Sequence, residues 1–213
     1  MKRVVGAFLL LLLCATACRN VVYSTYETFG VYKRDLLKKR VVAARDEQKE
    51  AQKEFKDALT HLKEITGFEG GELEKRYRAL QSDYDAAATR VSTVHKRVKD
   101  VETVAGDLFS EWEKENHQIE TSSLRQTSQS QLTETRQRYE EMHRALKRSE
   151  RSMDPVLHKL HDYVLVLKHS LNAQAIASLG GESARIQAEV AKLIEDMNAS
   201  IAGADEFVRQ MQK

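Results

Sequence analysis

Cysteine is almost missing from this sequence. Two occur in 213 residues, Cys14 and Cys18, and both fall within the first eighteen. Beyond them the chain has no thiol nucleophile, no thiolate metal site and no means of forming an internal disulfide. Proline occurs once, at Pro155, and glycine nine times. With 31% charged residues and so few breakers, the composition excludes a sheet-rich domain and points to long helices. An excess of one charge is also lacking. Once Lys2 and Arg3 are set aside with the leader described below, 32 basic residues face 32 acidic ones, so nothing marks a nucleic-acid-binding surface. The chain contains neither G-x-x-x-x-G-K-[ST] nor G-x-G-x-x-G, which removes support for nucleotide binding. No nucleophile, base and orienting group stand in a recognisable relation, so no catalytic residues are assigned, and no cofactor is expected.

What is present begins with a leader. Met1-Lys2-Arg3 is a short positive stretch, and Val4 to Leu13 is apolar apart from Gly6. Ten residues are too few for a bilayer span, which takes about 20, but they suit the apolar part of a secretory signal. Ala15-Thr16-Ala17 then leads into Cys18. A small residue before a cysteine resembles the bacterial lipobox, whose thiol is acylated and whose peptide bond is cut just before it. Residues 1–17 are therefore expected to be removed, leaving Cys18 as the lipid-bearing first residue. Ala15 departs from the usual leucine of that motif, and Ala15-Thr16-Ala17 also fits an ordinary cleavage site that would release an unanchored protein. By resemblance to Gram-negative lipoproteins, Arg19 after the cysteine favours the outer membrane.

The remainder, residues 18–213, reads as a single elongated helical domain. One ladder runs Leu37, Val41, Ala44, Gln48, Ala51, Phe55, Ala58, Leu62, Ile65. A second runs Leu73, Tyr77, Leu80, Tyr84, Ala87, Val91, Val94, Val98, Val101, Ala105, Leu108, Trp112. Both step by four and three without a break, which is the 3.5-residue period of a left-handed supercoil. Gln48 is a polar member of the first seam, either fixing register or tolerated near an edge. A third ladder runs from Leu132 through Tyr139, Met142, Leu146, Ser149 and Met153 to Leu167, and keeps its phase through Pro155. That predicts a kinked but continuous helix, in preference to a new helix capped by Asp154. The last is Val190, Ile194, Met197, Ile201, Ala204, Val208, Met211. Gly67 with Gly70-Gly71, Thr121-Ser122-Ser123, and Gly180-Gly181 are read as the connections, and Ser123 with Gln126 as a capping box. The expectation is an all-α, elongated antiparallel four-helix coiled-coil bundle with short loops. Its helices span about 22–66, 71–119, 124–178 and 182–212.

Several features invite a functional reading. His158, His161 and His169 are spaced to share a helix face that titrates near neutrality or takes a metal or ligand. Such a set is more often a polar stripe, so no metal ligands are assigned. Glu140 and His143 form the one E-x-x-H, where a ferritin-like site needs two. Tyr163–Leu167 is apolar all round, either central to the bundle or meeting a partner. Tyr23, Tyr26, Phe29 and Tyr32 follow the cysteine and fit a membrane surface or the capped end of the first helix. Lys213 offers a weak parallel to lipoproteins that join peptidoglycan through a terminal lysine.

Phe29-Gly30-Val31-Tyr32-Lys33-Arg34-Asp35, Gly70-Gly71-Glu72-Leu73-Glu74-Lys75-Arg76-Tyr77, Phe109-Ser110-Glu111-Trp112-Glu113 and above all Leu167-Lys168-His169-Ser170-Leu171-Asn172-Ala173-Gln174-Ala175-Ile176-Ala177-Ser178-Leu179 resemble a family of predicted bacterial lipoproteins known as a domain of unknown function. The resemblance covers nearly the whole chain after the leader. It implies a Gram-negative source and a periplasm-facing coiled coil, and it supplies no activity. The function expected is that of a non-enzymatic structural or adaptor lipoprotein of the envelope, anchored at Cys18. Its contacts would be the membrane, an envelope protein and, if the seams are shared between chains, a second copy of itself.

Overall fold

A computed structural model describes residues 32–67, 73–169 and 172–211. Four helices account for nearly all of them: α1 (Lys33–Thr66), α2 (Leu73–Asn116), α3 (Ser122–His169) and α4 (Ala173–Gln210). No strand occurs among the described residues. At 1.5 Å per residue, α2 alone reaches roughly 65 Å.

Cross-helix contacts fix the arrangement. Lys33 meets Glu111 and His61 meets Asp83, so α1 and α2 run antiparallel. Trp112 bonds Ser128 and Tyr84 stacks on His161, which sets α3 antiparallel to α2. Tyr139 lies against Phe207 and Lys159 against Glu189, and Arg45 against Asp205 and Thr66 against Ser183. Each helix thus packs on two neighbours, and the α1–α2 hairpin joins the α3–α4 hairpin along two junctions. The result is an all-α four-helix bundle with every neighbour antiparallel, the geometry that heptad seams favour.

All nine residues of the first ladder are buried, Gln48 among them. In α2 the ladder is buried from Tyr77 to Leu108 except at Tyr84, while Leu73, Tyr84 and Trp112 are partly covered. The seams close within one chain. Burying a leucine or phenylalanine contributes ~1.5–3 kcal/mol, so these layers supply the main stabilisation.

Three details differ from the sequence expectation. First, α4 begins at Ala173 and runs through Gly180-Gly181, where a break was expected. Ile176 N–H donates to the Asn172 carbonyl at 3.1 Å, closing the first turn at the true start. Two glycines cost the helix ~1 kcal/mol each relative to alanine, and burial of Ile176, Leu179 and Ile186 outweighs that. Second, the buried line of α4 is Ile176, Leu179, Ser183, Ile186, Val190, Leu193, Met197, Ser200, Ala204, Phe207. Ile194 and Val208 sit one position off this line and are only partly buried, and Ile201 likewise. Third, α3 starts at Ser122, one residue after Thr121, whose carbonyl accepts from Arg125 N–H at 3.0 Å. The Arg125 guanidinium holds the turn by donating to the carbonyls of Ile119 and Glu120, in place of the Ser123–Gln126 box.

Pro155 lies inside one continuous α3. It and Arg151, whose carbonyl loses its helical partner, are both on the exposed face, where that carbonyl is open to solvent.

Candidate functional site

The residues singled out in the sequence scatter. Cys18, the aromatic residues Tyr23, Tyr26 and Phe29, and Lys213 lie outside the described residues. His158 and His169 are exposed on α3, whereas His161 is half-buried against Tyr84, ring centroids 5.1 Å apart. Among the described residues no three histidine, cysteine, aspartate or glutamate side chains are placed to hold a metal ion. The run Tyr163–Leu167 divides: Tyr163, Val164 and Leu167 are buried, but Leu165 and Val166 are 41% and 43% exposed. His143 does not face Glu140. It crosses instead to Glu102 on α2.

That crossing belongs to a cluster along the α2–α3 junction which sequence reasoning missed. His95 on α2 puts Nδ1 2.9 Å from Glu150 Oε1 and Nε2 3.2 Å from Asp154 Oδ1, both on α3. Carboxylates only accept, so two ring N–H groups are needed to satisfy both, and only the imidazolium has two. Burial works against that charge, yet the hydrogen bonds to Glu150 and Asp154 outweigh it and hold His95 above its ordinary value. His143 Nε2 lies 2.9 Å from Glu102 Oε1, and its ring stacks on Tyr139. Lys147 links the two sites, pairing with Glu150 and reaching Glu102 at 3.5 Å. Burial would raise the Glu102 pKa, but His143 and Lys147 together keep it below the usual carboxylate range. Glu150 is itself buried.

The other junction, α4–α1, is built differently. Arg45 donates to Asp205 at 2.5 Å, Gln52 to Asn198 at 2.9 Å, and Thr66 stands 3.4 Å from Ser183. None of these pairs changes charge near neutrality.

At the same height the core turns polar. Gln48 lies between the Arg45–Asp205 and Gln52–Asn198 contacts, and Ser149 between Met142, beside Gly203, and Ser152, which donates to Asp196. Both brackets point to the level of Ser200. All three side chains are within 1% of full burial, and both amide atoms of Gln48 and the two serine hydroxyls have no hydrogen-bond partner. Leaving such groups unpaired costs ~1–3 kcal/mol apiece. Four unpaired polar atoms therefore gather at one level of the core, between the hairpins and beside the histidine cluster.

The bundle's ends form the third notable region. At one end lie the start of α1, the α2–α3 turn and the end of α4. There Leu108, Trp112, Phe207 and Met211 line an open mouth of about 360 Å³. Trp112 Nε1–H donates to Ser128, which donates to Asn116. At the other end a groove of about 310 Å³ opens between Tyr163 and Val166 of α3 and Leu179 of α4. The large apolar side chains exposed among the described residues are Tyr32, Leu124, Leu165 and Val166, the first pair at one end and the second near the other. No described helix is long and apolar enough to cross a membrane.

No curated protein matches this chain. A family described as "protein of unknown function" (DUF2959) matches over residues 22–211, and the chain belongs to that family.

Proposed function

We propose that this protein is a non-enzymatic lipoprotein spacer or adaptor of the bacterial envelope. Cys18 would carry the lipid in the inner leaflet of the outer membrane, and the bundle would extend into the periplasm. The observation that carries this reading is the placement of exposed apolar side chains at the two ends of a bundle whose seams close within one chain. Tyr32 and Leu124 lie at the end where α1 begins, which is the end nearest Cys18 along the chain. Tyrosine there suits a membrane interface. Leu165 and Val166 lie near the far end, roughly 60 Å from Leu124 along α3, where an envelope protein would be met. Acylation supports durable anchoring, since each buried methylene contributes ~0.8 kcal/mol.

Membrane fractionation with mass measurement of the mature N-terminus tests the anchor. A diacylated or triacylated Cys18, and loss of membrane association in Cys18→Ala, are expected; an unmodified N-terminus in the soluble fraction overturns it. Crosslinking from native membranes tests the adaptor role. A partner captured through a photoreactive residue at position 165 or 166, and not through one on the mid-bundle surface, is expected. Capture at neither place removes the adaptor reading.

A further inference from the structure

We propose that the α2–α3 junction carries a proton-operated clasp, in force while His95 is protonated, and that its release on deprotonation makes this junction the one along which the two hairpins open transiently, hinging about α4–α1. The inference is independent of the anchoring reading.

Two separate observations carry it. The first is the asymmetry of the junctions. His95 spans two α3 carboxylates with both ring nitrogens, and His143 faces Glu102. Loss of the imidazolium proton leaves one His95 nitrogen as a lone pair facing a carboxylate oxygen, so attraction becomes repulsion at that contact. The opposite junction rests on a guanidinium–carboxylate pair and on amide and hydroxyl contacts, which hold their charge over the same range. The second is the layer of Gln48, Ser149 and Ser200, whose unpaired polar atoms gain water when the hairpins separate. The clasp and the layer lie at one height, so the core is short of polar partners where the flank is proton-dependent.

The surrounding charges leave the direction intact. Glu150 and Asp154 face His95 from α3, with Lys147 on the far oxygen of Glu150. On its α1 side, Glu47 and Glu50 are engaged with Arg90 of the same helix as His95. His143 faces Glu102 on α2, shared with Lys147, and on the α4 flank Glu206 is held by Arg209 and Gln210. His95 is held above its ordinary value, so its contribution is complete below about pH 6.5 and fades as pH rises through the folded-state value. Glu102 is held below its ordinary value, so its share is present above about pH 4.5 and fades only as pH falls further. The clasp is therefore fully closed in mild acid and released towards mild alkali.

Thermal unfolding of the full-length chain at about pH 5.5 and about pH 8, with and without His95→Gln plus His143→Gln, tests this. The double variant is expected to melt ~2–6 °C lower than the parent at the acidic pH and within ~1 °C of it at the alkaline pH. An equal loss at both values marks a merely structural role and overturns the clasp, as does a parent whose pH dependence survives in the variant. Should the double variant not fold, Asp154→Asn, which removes the carboxylate charge facing His95 at a half-exposed position, is expected to show the same pH-selective loss in smaller measure. Hydrogen exchange, corrected for the intrinsic effect of pH, reads the hinge. Amides near residues 91–102 and 143–154 are expected to lose protection in alkali before those near 45–52 and 198–205, and uniform loss overturns the hinge.

Discussion

The two junctions between the hairpins share one apolar design and differ only at their margins. Both are backed by buried seam residues spaced four and three apart, each junction by those of its own two helices. At α2–α3 the margin is histidine against carboxylate, and at α4–α1 it is arginine, amide and hydroxyl. The apolar seam keeps both junctions closed in the dominant state at any pH, and the margins decide which one opens more readily as protons are lost. Stability and response are therefore carried by different residues, and substitutions should separate them.

The largest effect should come from the shared design. Leu160 is fully buried on α3, and Leu160→Ala is expected to cost ~2–5 kcal/mol, alike in acid and alkali. Denaturant titration at both pH values checks it; a cost confined to one pH would show that seam and margin are not separable. Next is Gln48→Leu, which replaces two unpaired buried atoms with apolar ones of similar size. It is expected to stabilise the bundle by ~1–3 kcal/mol, again without pH dependence. If the variant is instead less stable, Gln48 has partners, and the layer is not the unpaired level described above.

How far these features were legible in the sequence depends on what each needs. The α1 seam needed only spacing, and every member from Leu37 to Ile65 is buried. In α4 spacing was half right: Val190, Met197 and Ala204 are buried as expected, but Ile194, Ile201 and Val208 each stand one residue past the buried Leu193, Ser200 and Phe207. A serine in a seam carries no hydropathy signal. Gly180-Gly181 was equally persuasive as a break, but local propensity of ~1 kcal/mol per glycine yields to burial on both sides. The clasp could not be read at all. Val94 and Val98 place His95 beside a seam, but its pairing with Glu150 and Asp154 depends on how α3 is staggered against α2, and no local pattern encodes that stagger. The proposed anchor at Cys18 is an expectation from local sequence alone, and it lies outside the described residues.

The glycine within α4 gives a smaller test. A Cβ at Gly180 meets nothing within 4 Å, and the same holds at Gly106 in α2. Gly180→Ala and Gly106→Ala are each expected to stabilise by ~0.5–1 kcal/mol through helix propensity, equally at both pH values. A loss at position 180 would mean that the chain uses a break there, and that α4 does not run unbroken from Ala173.

The smallest effect probes the quiet junction. Arg45 pairs with both Asp205 across the junction and Asp46 on its own helix. Burial opposes its charge, but the two aspartates outweigh that and push its pKa up, so it stays charged where His95 loses its proton. Arg45→Ala is expected to cost only ~0.2–1 kcal/mol, the range of a pair near the surface, and the cost should not change between mild acid and mild alkali. Its value lies in combination. Added to His95→Gln, it removes one margin residue from each junction, and the two sites are far enough apart on opposite flanks to add in acid if the seam alone couples them. In alkali, where the His95 contacts are released, the α4–α1 margin is the surviving polar contact between the hairpins' flanks. There the loss of Arg45 should weigh more in the His95→Gln background than it does in acid against the parent. Strict additivity at both pH values would mean that the junctions open independently, and that neither serves as hinge for the other.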